Sequence, residues 1–145
     1  MNEQTIEKMK TMKLYGMVRS FRTSLENPER TDFSADEFIN MLVDAEWDER
    51  YNRRLDRSLK NARFRYKAVV EQINFKTERQ LDRNYLLRLA DCGYIDKKEN
   101  VIITGSTGIG KSYIASALGH QACSMGYKVI YEHSTKLFAR LKMCK

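Results

Sequence analysis

Proline is almost absent: one residue, Pro28, stands in 145, beside three cysteines, two histidines and one tryptophan. The lone proline falls in Asn27-Pro28, where it breaks the first helical pattern. Cys92, Cys123 and Cys144 have no metal-ligand spacing and cannot all pair within the chain, so reduced thiols are expected. His120 and Cys123 lie one helical turn apart, but two ligands are too few for a structural zinc site, and such pairs on an amphipathic helix are usually packing residues. His133 stands alone and supports no catalytic constellation. Long apolar runs are also missing: none approaches the roughly 20 residues that span a bilayer. The polar start Met1-Asn2-Glu3-Gln4 lacks signal-peptide character. These absences lead to the expectation of a soluble, cytoplasmic protein with no membrane partner. No repeat or low-complexity segment occurs.

What is present is concentrated in one loop. Gly105-Ser106-Thr107-Gly108-Ile109-Gly110-Lys111-Ser112 is a complete G-x-x-x-x-G-K-[ST] pattern. Glycines allow the backbone to approach a phosphate closely, so that successive N–H groups point at its oxygens. Lys111 is expected to neutralise the β and γ phosphates, and the Ser112 hydroxyl to take one Mg²⁺ position. The flanking order supports this reading. Val101-Ile102-Ile103-Thr104 predicts a buried parallel strand; Ile114, Ala115, Leu118 and Ala122 recur at helical spacing; Gly126 ends that helix; Lys128-Val129-Ile130-Tyr131-Glu132 predicts a second strand. ATP and Mg²⁺ are the expected cofactors.

Charge is the second signal. The net charge is +7, and residues 50–67 hold eight cations against Asp56 alone, a local balance equal to the whole chain's excess. Arg50, Arg53, Arg54, Arg57, Lys60 and Arg63 are candidates for sequence-nonspecific DNA phosphate contacts; a solvated helix face is the competing reading. Phe64, Tyr66 and Phe75 flank or follow these cations, as base-stacking residues or as core anchors.

The remaining pattern is helical. Residues 1–26 read as one helix with Ile6, Met9, Met17, Phe21 and Leu25 on a face. Ser34-Ala35-Asp36-Glu37 fits a capping box that opens a long helix to about residue 63, with Phe38, Met41, Leu42, Ala45, Leu55, Leu59 and Ala62 on its apolar side. Acidic residues crowd its first half and basic residues its second, the polarity that suits the helix dipole. An extended connector is expected around 69–77, then a short helix capped by Asp82, carrying Tyr85, Leu86, Leu89 and Ala90 and ended by Gly93. The division expected is a helical N-terminal domain (1–67), a connector (68–98) and the first part of a P-loop core (99–145).

Three stretches give the chain a family likeness: Glu49-Arg50-Tyr51-Asn52-Arg53-Arg54-Leu55, Ala62-Arg63-Phe64, and Glu99 to Gly105 continuing into Lys111-Ser112-Tyr113-Ile114-Ala115. Over essentially its whole length the chain resembles the IstB-like ATP-binding proteins, helper ATPases of bacterial insertion sequences related to DnaC-type helicase loaders. The resemblance implies an α/β fold, with an N-terminal helical domain followed by a P-loop NTPase core of the AAA+ type with parallel strands. It further implies ATP binding at Gly105, Gly108, Gly110, Lys111 and Ser112, DNA binding, self-association, and a transposase of the same element as partner. Ser106 stands where the family commonly has proline, and Tyr113 where it commonly has histidine. An acidic residue at a later strand end, which hydrolysis requires, is not recognisable after Ser112. Glu132 ends the strand before the one that carries it in the family. The first two core strands are not neighbours in the implied topology, so either a fragment of a longer reading frame or an unusual compact fold is expected. A helicase loader and a non-enzymatic helical module with a vestigial nucleotide site are the alternative functions.

Overall fold

A computed structural model describes residues 2–26, 33–75 and 81–144. The chain divides into two compact units, Met1–Arg54 and Leu55–Lys145.

The first unit contains α1 (Asn2–Thr11), α2 (Tyr15–Glu26) and the N-terminal part of α3 (Ala35–Ala62). The single helix expected over 1–26 is two. Lys13, at φ 59, takes the left-handed conformation, and the Leu14 N–H turns back to the Met9 carbonyl at 2.9 Å. No glycine advertises this stop. The α3 start is the expected capping box: Ser34 N–H donates to Glu37 Oε2 at 2.8 Å, and Glu37 N–H donates to Ser34 Oγ at 3.3 Å.

The α2–α3 crossing depends on two residues. A Cβ at Gly16 would fall 2.2 Å from the Ala45 carbonyl oxygen, so only glycine permits this approach. Opposite it, the buried Glu46 carboxylate accepts from Gly16 N–H at 2.8 Å and Met17 N–H at 3.3 Å, two donors in the first turn of α2. Its other oxygen accepts from Arg50 Nε at 2.7 Å. Neighbouring Glu49 pairs with Arg19 and Arg53. The acidic half of α3 therefore includes two specific clamps besides any dipole effect.

The second unit takes up the end of α3, a 3-10 turn at Val70–Gln72, then α4 (Arg83–Ala90), α5 (Gly93–Asp96), α6 (Lys111–Ser124) and α7 (Ser134–Met143). Its core joins Ala68, Val70, Ile73, Leu86, Ala90, Ile114, Ala117 and Leu118. Part of the expected connector, 76–80, lies outside the described residues. Asp82 caps α4 as expected, accepting from Asn84 N–H at 2.8 Å and Tyr85 N–H at 3.2 Å. The α4 stop differs: Cys92 is the left-handed residue at φ 57, and Gly93 opens α5 instead of closing α4. Tyr85 and Ala115, expected on packed faces, are exposed, and Ala117 takes the core position on α6.

The two expected strands are not formed among the described residues. Residues 101–104 and 128–132 are non-helical and pair in no β-ladder; Tyr131 N–H instead donates to the Ala62 carbonyl at the end of α3, at 2.9 Å. The physical reason is lack of a ladder partner: a parallel strand needs a neighbour on at least one edge. Ile102 and Ile130 accordingly remain 84% and 71% exposed.

Candidate phosphate-binding site

The loop gains its shape from three left-handed glycines: Gly105 at φ 142, Gly108 at φ 86 and Gly110 at φ 98. Gly110 is the N-cap of α6, so the chain turns directly from the loop into the helix. A Cβ at Gly105 would stand 2.7 Å from Ile109 Cδ1, the side chain that folds over the loop. Helix α6 is anchored beneath by Ile114, Ala117 and Leu118. Its orphan N–H groups and positive dipole end therefore stand at the loop, where anions are favoured.

Lys111 reaches back across the loop. Its ammonium donates to the Gly105 carbonyl at 2.8 Å and the Ser106 carbonyl at 2.6 Å. The Ser112 carbonyl accepts from Ser116 Oγ at 2.8 Å, which ties the first turn of α6 together. Thr107, Gly108, Gly110, Lys111 and Ser112 line a cleft of about 370 Å³, completed by Tyr113, Arg65 and Tyr66. That volume lies within the roughly 300–1,000 Å³ common for small-ligand sites. The donor set fits a polyphosphate with its metal: backbone amides and an ammonium for oxygen anions, and a hydroxyl of the hard-oxygen type that Mg²⁺ takes.

Arg65 and Tyr66, which in sequence belong only to the basic block and its aromatics, also line this cleft. The Tyr66 ring centroid lies 6.3 Å from that of Tyr113, and the Arg65 guanidinium stands 5.3 Å from the Tyr66 ring centroid. An aromatic between cations was the available signal; what was missing is the reversal after α3. Arg63, at φ 55, makes that turn.

The family model described as "IstB-like ATP binding protein" matches residues 7–145. The chain belongs to this family. Among curated relatives, this IstB-like chain is 38% identical over 141 residues to y4pL of Sinorhizobium fredii, covering 97% of the chain and 58% of the relative. It is 33% identical over 144 residues to the IS1162 protein of Pseudomonas fluorescens, covering 99% and 62%. Against the IS21 protein of Pseudomonas aeruginosa it is 32% identical over 121 residues, covering 83% and 46%. All three are named as insertion sequence ATP-binding proteins. The chain thus spans roughly half to three fifths of the length of these relatives.

Other candidate residues of this IstB-like chain are distributed differently. Glu132 pairs with Arg140 and lines a separate cleft with Ile130, Leu137 and Leu141, not the loop cleft. Arg50 and Arg53 are tied to Glu46 and Glu49, and Arg53 also stands 5.2 Å from the Tyr15 ring centroid. In the second unit Arg57, Lys60 and Arg63 are exposed and carry no ion pair among the described residues. Lys60, Arg63 and Lys67 rim a groove of about 540 Å³ floored by Leu59, Phe64 and Val69, into which His120 also faces. Phe64 is a packing residue: its ring meets α6 at Gly119 and lies 6.4 Å from Tyr131. Phe75 packs against the core. Cys92 and Cys123 are buried, and burial pushes both thiols up; Cys144 is exposed. No cluster of three His, Cys, Asp or Glu suited to a metal occurs among the described residues. Nor is any of their helices long and apolar enough to cross a membrane.

Proposed function

We propose that the chain binds Mg²⁺-ATP at Gly105–Ser112 and serves as the ATP-binding helper of an insertion sequence, acting with its transposase on DNA. The observation that carries this reading is the loop itself: three left-handed glycines, Lys111 and the start of α6 converge on one cleft in a chain of an ATP-binding family. The amides of 108–112 and the Lys111 ammonium would hold the phosphates, and Ser112 would supply an oxygen to the metal. Tyr66 and Arg65 would form the wall facing the nucleoside. When bound, Mg²⁺ supplies charge neutralisation of the triphosphate.

The fuller fold belongs to the same proposal. Residues 101–104 and 128–132 would be strands of a parallel P-loop core, their partners corresponding to the part of the relatives that the chain does not span. A functional division at 1–67, 68–98 and 99–145 accompanies it. Among the described residues, those lining the loop cleft include no carboxylate. The relatives' insertion-sequence names speak against the helicase-loader reading.

Calorimetric titration tests the nucleotide part. ATP should bind with Mg²⁺-dependent affinity, and Lys111→Ala should weaken it at least about tenfold, or ~1.4 kcal/mol; unchanged affinity would refute it. For DNA, Arg57→Glu with Lys60→Glu and Arg63→Glu should lower duplex affinity and flatten its salt dependence by about 0.9 in log–log slope per lost phosphate contact. Arg50→Glu, whose wild-type charge is already paired, should change the slope less.

A further inference from the structure

The loop cleft is lined by two kinds of group, and phosphate binding uses one of them. Thr107, Gly108, Gly110, Lys111 and Ser112 offer amides, hydroxyls and an ammonium; Tyr66, Tyr113 and Arg65 offer flat surfaces. Tyr113 is half-buried, packed against the core of the second unit. At this position the family commonly has histidine, and the tyrosine supplies the ring on which Tyr66 leans, with centroids 6.3 Å apart and planes inclined at 49°. Tyr66 itself stays 39% exposed. The exposed Arg65 guanidinium, 5.3 Å from the Tyr66 centroid, lies within the roughly 6 Å reach of a cation–π contact.

We infer that this wall holds a purine by its face and not by its edge, so that the site takes purine nucleoside triphosphates whatever group stands at C6, guanine and hypoxanthine nucleotides as well as adenine ones. The inference rests on the triphosphate reading of the loop. Every base has a π-face, so stacking on Tyr66 is tolerant of base identity. Edge reading needs other groups. The side chains that pair with adenine in bidentate fashion are Asn and Gln, which donate to N7 and accept from the N6 amino group together. Among the described residues lining the cleft, no side chain is an amide or a carboxylate. Arg65 only donates, so it can serve N7 of any purine and an oxo group at C6, but it cannot accept from an amino group there. The tyrosine hydroxyls donate or accept as the base requires. A site built to hydrogen-bond one edge rejects the mismatched analogue by about 10⁴–10⁵-fold, and this wall has no such fixed pattern.

The test is titration calorimetry of the full chain, in Mg²⁺, with ATP, GTP, ITP and inorganic tripolyphosphate. GTP and ITP should bind within about fivefold of ATP. Tyr66→Ala should weaken all three nucleotides alike, by about tenfold, and leave tripolyphosphate, which has no base, within about twofold. Tyr66→Phe keeps the ring without the hydroxyl and should retain the wild-type affinities. GTP or ITP weaker than ATP by more than about fivefold, a Tyr66→Ala variant that binds nucleotides as the wild type does, a Tyr66→Ala loss shared by tripolyphosphate, or a Tyr66→Phe loss as large as that of Tyr66→Ala would each overturn the inference while leaving triphosphate binding at the loop intact. Binding of none of the four probes would overturn the triphosphate reading itself, and the inference with it.

Discussion

At Gly119 a hydrogen atom decides whether two elements fit. A Cβ there would lie 2.6 Å from Phe64 Cε1 and 2.9 Å from Phe64 Cζ, so Gly119→Ala forces the ring away from α6. The expected loss is about 1–3 kcal/mol in urea unfolding, the usual range for overpacking. Glu46 is the corresponding residue of the first unit. Glu46→Ala removes the acceptor of Gly16 and Met17 and the partner of Arg50, and should cost about 2–3 kcal/mol by the same measurement. The three thiols should separate by reactivity. Cys144 is exposed, whereas burial holds Cys92 and Cys123 above the ordinary thiol range, so a thiol reagent at neutral pH should modify Cys144 first and reach the others only on unfolding. That Thr107, Gly108, Gly110, Lys111 and Ser112 share one cleft was legible in the sequence, because they are neighbours in a single glycine-rich loop. Arg65 and Tyr66 were not, because their place in the cleft depends on the turn at Arg63.

Helix starts were readable and several helix stops were not. Ser34, Glu37 and Asp82 announce α3 and α4 through local hydrogen bonds that require no tertiary context. Lys13, Arg63 and Cys92 end helices in the left-handed conformation without being glycine, and Gly93 was a false stop for that reason. The α3 clamps also predict a pH response. The Ser34 backbone N–H, then its hydroxyl, holds the Glu37 carboxyl below its ordinary range; Arg19, then Arg53, does the same for Glu49. A folded-state pKa below the unfolded one contributes stability above the unfolded value and loses it as pH falls through the folded value. Far-UV circular dichroism should therefore show a lower melting temperature as pH falls through and below the carboxylate range. Glu37→Gln with Glu49→Gln should flatten that dependence.

At the scale of the molecule, the N-terminal residues are helical and the glycine loop passes directly into α6, whereas the expected parallel strands are not formed among the described residues. Segments 101–104 and 128–132 have strand composition, but composition cannot supply an edge to pair with. The basic block reads differently once folded: Arg50 and Arg53 are absorbed into ion pairs, whereas Arg57, Lys60 and Arg63 retain free charge among the described residues. Family membership and the loop geometry together make nucleotide binding the central claim. Its most direct measurement is amide NMR of the 145-residue chain titrated with Mg²⁺-ATP. The account predicts the largest shifts at Gly108, Gly110, Lys111 and Ser112, with smaller ones at Tyr66. Shifts confined to the cations of residues 50–67, or none at all, would contradict it.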